Sequence, residues 1–300
     1  MNLIRIQHRT AYRYRRPVSF GEHRLMFRPR DSHDLRHVKS TMSILPTPDI
    51  RWKHDVFGNS IAVATFSDAA DELVLESDVT VEQFASADPD FPVAPRGRTL
   101  PVAYTTDELD DLGRSTVRHY PDQEGELESW ARSFLGPEGA GDTLDVLKGM
   151  TTEIARTFEY VARNDEGTRT PVETLQRGSG TCRDFALLMM EAARTLGIAA
   201  RFVTGYLYDP TVGPDEQSLR GAHATHAWMQ VYLPGCGWIE FDPTNGIVGG
   251  SNLIRVGVTR DPSQAMPVTG TYFGAAEDFI DLTVNVSVTP VQDAELAGVT

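Results

Sequence analysis

Arg177-Gly178-Ser179-Gly180-Thr181-Cys182-Arg183-Asp184-Phe185-Ala186 carries two glycines and small polar residues into the start of a strongly apolar run. Phe185, Leu188, Met189, Ala192 and Leu196 fall at i, i+3, i+4, i+7 and i+11, the single stripe of a helix pressed against a core. Gly197 supplies the C-terminal cap of that helix. Cys182 is thereby placed at a helix N-terminus, where amides without intrahelical acceptors and the positive end of the dipole stabilise a thiolate. The same amides can receive the oxyanion of a tetrahedral intermediate. Asp184 in the first turn favours the helix but opposes a thiolate, so the dipole alone does not suffice. A histidine partner is required.

That partner is sought downstream. Ile198 to Leu207 reads as a strand, and the apolar runs containing His226-Ala227-Trp228 and Trp238-Ile239-Glu240-Phe241-Asp242 flank a short glycine-containing loop, the pattern of a β-hairpin. His226 and Asp242 are 242 − 226 = 16 positions apart, an even separation, so a regular two-residue loop would put them on opposite faces. A three-residue loop at 234–236 puts Asp242 opposite Trp228 and diagonal to His226, within roughly 7–8 Å before the side chains extend. Asp242 can then hold one imidazole nitrogen while the other faces Cys182. His223 is the rival base, but its odd offset turns it to the other face of the strand. Trp228, Tyr160 and Asp184 are the candidates for contact with substrate. Trp228 could equally serve the core, and Tyr160 is the candidate second oxyanion donor. Cys236 reads as a turn residue. A metal site from His223, His226 and Asp242 would need His-x-x-His on a strand, which splits the two imidazoles between faces. No metal and no cofactor is expected.

Upstream of the cysteine, 127–134 and 143–160 have helical spacing, with Asp142 as N-cap. Residues 85–125 are proline-rich and acidic, with little periodicity, and read as a linker on the surface. Residues 1–84 alternate like short antiparallel strands around a turn at Gly58-Asn59. The expected organisation is therefore an N-terminal β module at 1–84, a linker at 85–125, a core at 126–250 and returning strands at 251–300.

With 28 basic against 42 acidic residues in 300, the net charge of −14 disfavours nucleic acid or anionic membrane as the main partner. Arginines crowd the first tenth of the chain, and alternation along strands makes them a solvated face. The two cysteines, Cys182 and Cys236, cannot form a disulfide framework. No apolar run has the length of a signal peptide or of the roughly 20 residues of a membrane span, so a cytoplasmic location is expected. Oligomeric state is not legible.

Gly-Thr-Cys-Arg-Asp-Phe-Ala, Thr-His-Ala-Trp and Phe-Asp-Pro-Thr-Asn, in this order, resemble the three boxes of the transglutaminase-like, papain-related superfamily. His8-Arg9-Thr10-Ala11-Tyr12-Arg13-Tyr14 and Leu25-Met26-Phe27-Arg28-Pro29-Arg30 are similar to the N-terminal β module of its bacterial members. The segments Ile254 to Asp261 and Pro267 to Gly270 are similar to their C-terminal strands, so nearly the whole chain is covered. The resemblance implies an α+β fold: an antiparallel, sandwich-like N-terminal module and a core in which the cysteine helix packs on an antiparallel sheet. It implies Cys182 as nucleophile, His226 as base and then acid, and Asp242 as the orienting carboxylate of a cysteine protease or amidase acting on a peptide or protein. Protein cross-linking and a non-catalytic scaffold are the alternatives. The calcium dependence of animal members is not expected, because nothing here looks like a calcium loop.

Overall fold

A computed structural model of the chain describes residues 2–84, 90–163, 167–209, 219–220 and 224–291. The mixed α/β architecture is the expected one. The alternating run at the N-terminus forms one long strand, Asn2–Phe20, rather than several short ones. It lies inside an antiparallel sheet between Ala70–Gln83 and the C-terminal strand Phe279–Pro290, with Leu35–Leu45 beyond Ala70–Gln83 and Tyr272–Phe273 also pairing with it. A second antiparallel sheet holds Val268–Thr269, His23–Leu25, Ser60–Thr65 and Asp49–His54. Tyr14, Phe20, Leu73 and Leu75 from the first sheet meet Leu25, Ala62 and Ala64 from the second, which makes the pair a sandwich. Arginines of the first strand are paired across it, Arg5 with Asp78, Arg9 with Glu76 and Arg13 with Asp281.

The core is built on a five-stranded antiparallel sheet ordered Ile247–Val248, Gly237–Asp242, His226–Leu233, Ala200–Leu207, Leu253–Thr259. Helix Cys182–Thr195 lies against one face, where Phe185, Leu188 and Met189 join Ala227, Met229, Val231 and Phe241 in the largest apolar cluster. Helix Thr143–Thr157 packs on the same cluster and starts at Asp142, whose carboxylate accepts from the Asp145 amide. The N-terminal sandwich reaches the sheet through Ile4, Ile6, Val79 and Val81, which pack with Tyr206, Ile254 and Val256.

The described part of 251–300 supplies strands to both units: Leu253–Thr259 completes the core sheet, whereas the strands from Val268 onward complete the sandwich. The segment 85–125 is not a simple surface linker. Its described part contains the short helices Pro95–Arg98 and Thr106–Leu112, and it buries Val93 and Leu100. The reason lies in the cysteine helix, which is buried almost all round. Its outward face carries Glu191, fully buried, which accepts from the amides of His119 and Tyr120 at 2.8 and 3.0 Å and from Arg194 at 2.7 Å. A carboxylate in that position must be satisfied, and the backbone of the segment satisfies it.

Candidate active site

The two glycines before the cysteine have separate jobs. Gly178 ends helix Pro171–Arg177 at φ 58°, a left-handed cap. Gly180 sits where a side chain would come within 2.9 Å of the Asp184 Cβ, so only hydrogen lets the chain turn this tightly into the next helix. Thr181 then caps that helix. Its hydroxyl accepts from the Asp184 amide, and Asp184 Oδ2 accepts from the Thr181 amide at 2.9 Å, a reciprocal capping box. Cys182 follows as the first helical residue, 7% exposed, and its own N–H has no acceptor within the helix.

The hairpin has the register that parity demands. Leu233 opposes Gly237, leaving 234–236 as a three-residue turn, and Met229 opposes Phe241. One step further along that register, Asp242 lies opposite Trp228 and diagonal to His226. The His226 Nε2 and the Asp242 Oδ2 are 2.8 Å apart, and both side chains are fully buried. Asp242 is itself fixed: Oδ2 also accepts from Asn245 Nδ2 at 2.9 Å, and Oδ1 accepts from the Thr244 amide at 2.9 Å. Burial pushes the Asp242 carboxyl up, but the charge and hydrogen bond of His226, with Asn245 and the Thr244 amide, outweigh it and hold the carboxyl below its ordinary value. Burial likewise works against a charged imidazole. Asp242 outweighs it by charge and hydrogen bond, Cys182 adds in the same direction, and His226 is raised to about 10. The other ring nitrogen, Nδ1, is buried without a hydrogen-bond partner.

The arrangement thus brings Cys182, His226 and Asp242 together, with the imidazole interacting with both neighbours. Tyr160 joins them: its strand pairs with the cysteine approach, Tyr160 beside Gly180. Burial, and then the charges of Cys182 and Asp242, raise its phenol to about 12 against the opposing effect of Arg183. It therefore keeps its proton. Among the described residues, no three His, Cys, Asp or Glu side chains gather as a metal site. His223, the rival base, lies outside the described residues.

Two of the substrate-contact expectations are corrected. Asp184 is completely buried, and its two oxygens accept from Arg163 Nη2, the Arg169 amide, and the amide and hydroxyl of Thr181. It builds the helix start and has no face toward a substrate. Trp228 is also completely buried, and instead of walling a cleft it stacks on His226, ring centroids 5.9 Å apart and planes at 27°. Gly205, paired with His226, makes room for it: a side chain there would come within 2.8 Å of the indole and 2.1 Å of the Ile254 carbonyl. Asn245 and Glu240 escaped the sequence reading. Asn245 stands three residues after Asp242 with Pro243 between, a turn signal that aims a short amide back at the carboxylate.

Comparison with known proteins agrees with this architecture. Residues 4–82 match the bacterial transglutaminase-like N-terminal region, and residues 129–243 match the transglutaminase-like superfamily. An uncharacterized protein of Mycobacterium tuberculosis (strain H37Rv), Rv2569c, is 29% identical over 306 aligned positions, covering 96% of this chain and 93% of its own. A second, ML0607 of Mycobacterium leprae, is 34% identical over 119 positions, covering 39% of this chain and 40% of its own. Among solved structures, one described as a "putative cysteine protease" from Cytophaga hutchinsonii has the same fold. It superposes with a TM-score of 0.72 at 18% identity, covering 97% of this chain and 91% of that one.

Proposed function

We propose, since this chain belongs to the transglutaminase-like superfamily, that it is a thiol enzyme cleaving amide or peptide bonds, with Cys182, His226 and Asp242 as its triad. One observation carries the reading. A buried imidazole is held at Nε2 by a carboxylate, its Nδ1 has no other partner, and the sulfur at a helix tip lies within its electrostatic reach.

The chemistry follows from that arrangement. In this reading the attacking species is the thiolate, paired with the imidazolium that His226, raised to about 10, presents at neutral pH. The sulfur adds to the carbonyl carbon, and the negative charge on oxygen is met by the Cys182 amide and the Tyr160 hydroxyl. Proton transfer from His226 Nδ1 to the leaving nitrogen breaks the C–N bond and leaves an acyl-thioester. Water then gives a proton to His226 and its oxygen to the acyl carbon; the C–S bond breaks, the carboxylic acid departs, and the thiolate is left beside the imidazolium as at the start. Asp242 keeps the ring in place through both halves. The substrate in this reading is a peptide or protein, without a role for nucleic acid or membrane. Two free cysteines fit the reducing cytoplasm.

Incubation with a peptide library, acid quench and intact-mass analysis tests the proposal. An acyl adduct on Cys182 that accumulates in the wild type and is absent from Cys182→Ala supports it. Unmodified Cys182 across the library, together with no peptide hydrolysis, sinks it. No helix among the described residues is long and apolar enough to cross a membrane.

A further inference from the structure

Behind the imidazole runs a continuous chain of polar contacts, buried at the indole and part-buried at its outer end, that leaves the core altogether. The indole stacked on His226 donates from Nε1 to Glu240 Oε2 at 2.8 Å. Glu240 Oε1 accepts from Gln230 Nε2 at 2.9 Å and from Arg255 Nη1 at 2.6 Å. The other arm of the same guanidinium, Nη2, donates to Asp34 Oδ1 at 2.5 Å and to Ser32 Oγ at 2.9 Å. Asp34 belongs to the N-terminal module, where it precedes strand Leu35–Leu45 and its carbonyl accepts from the Phe84 amide at 2.9 Å.

We infer that Asp34, Arg255, Glu240 and Trp228 form a positioning relay by which the N-terminal module sets the orientation of the His226 ring. The inference rests on the catalytic reading above and assigns the module a task within it. A flat ring on the first residue of a strand has a free χ2 unless something fixes its plane. Asp242 fixes one atom of the ring, and the indole fixes the plane. The indole is itself held by one hydrogen bond and by Val203, Leu207, Leu253 and Val258. Its acceptor depends on the module in turn. Burial pushes the Glu240 carboxyl above its ordinary value, with Arg255 and Gln230 opposing. Burial works against the Arg255 charge, and Glu240 and Asp34 together outweigh it. The arginine side chain is 14% exposed and Asp34 21%, so this ion pair is sheltered from the screening that makes exposed pairs weak. Of these four side chains only Trp228 touches the imidazole. The other three act through it.

The rate of Cys182 alkylation by iodoacetamide as a function of pH tests the relay. At about pH 6 the reaction needs the imidazolium beside the sulfur, and at about pH 9 a thiol ionises unaided. Asp34→Asn and Glu240→Gln each slow labelling by about fivefold at the lower pH, and the double variant is no slower than the slower single, as for residues in one network. At the higher pH both match the wild type, and Asp34→Glu restores the low-pH rate. Wild-type rates in both variants, with His226→Ala slow, overturn the relay and leave the triad standing. Faster labelling at every pH would mean a loosened fold and also overturns it. Equal labelling of wild type and His226→Ala overturns the catalytic reading itself.

Discussion

Asp242 is a carboxylate fully removed from water that accepts from an imidazole, an amide side chain and a backbone amide. Such a group cannot stay charged without its donors, so it and His226 share one electrostatic fate. Folding raises the histidine from 6.5 to about 10, which stabilises the protonated ring. That contribution is full below the unfolded value and is lost as pH rises through about 10. In spectra of histidine-labelled protein, the His226 ring should therefore remain protonated at about pH 8, where an unperturbed histidine is neutral. Asp242→Asn should bring its titration down by more than one unit. A His226 signal that titrates with the exposed histidines would contradict the pairing. Asn245→Ala removes one of three donors and should cost about 1–3 kcal/mol by chemical denaturation, the range for a hydrogen bond to a buried charge. Residues of this kind are partly legible in a sequence. Cys182, His226 and Asp242 stand in three recognisable boxes, whereas Glu240 looks like any acid on a strand until its indole and guanidinium partners are known.

At the level of elements, what could be read was periodicity and parity. The helix after Cys182 announces itself by its apolar stripe, and the even separation of His226 and Asp242 forces an odd turn, which the hairpin has. What could not be read was satisfaction of buried polar groups by distant backbone. Glu191 lies on the supposedly outward face of that helix, and only the amides of His119 and Tyr120 reveal why 85–125 must fold over it. Close approach is equally silent. Gly205 looks like a weak point in strand Ala200–Leu207, yet a side chain there would meet the Ile254 carbonyl at 2.1 Å, and backbone of the neighbouring strand cannot step aside. Gly205→Ala should cost about 1–3 kcal/mol, the scale of overpacking. It should also slow Cys182 alkylation near neutral pH, because the same side chain would push the indole off His226. Thermal melting with parallel labelling checks both. An unchanged melting temperature would contradict this close approach of the two strands.

On the scale of the whole molecule, the chain closes on itself. Its first strand lies between Ala70–Gln83 and Phe279–Pro290, so the sandwich is incomplete until Phe279–Pro290 arrives. The sandwich in turn covers the core sheet, with Ile4, Ile6, Val79 and Val81 packed against Tyr206, Ile254 and Val256. Leu253–Thr259 ties the two together covalently and carries Arg255 at their junction. Two units that share an apolar cluster and a part-buried ion-pair network cannot unfold independently at little cost. Calorimetry should therefore give one transition rather than two. Deleting residues from 268 onward strips the outer strand from Asn2–Phe20 and uncovers Tyr14, Phe20 and Leu25, which the sandwich otherwise buries. The expected loss is about 5 kcal/mol or more, most of the margin of an ordinary domain. Binding of a hydrophobic dye and self-association through the bared strand edge should accompany it. Low-pH alkylation of Cys182 should fall in the same protein although Cys182, His226 and Asp242 are all present, because Asp34 then sits in a frayed module. A truncated chain that melts with the full one and labels at its rate would mean that the C-terminal strands are ornament, and that the core orients His226 alone.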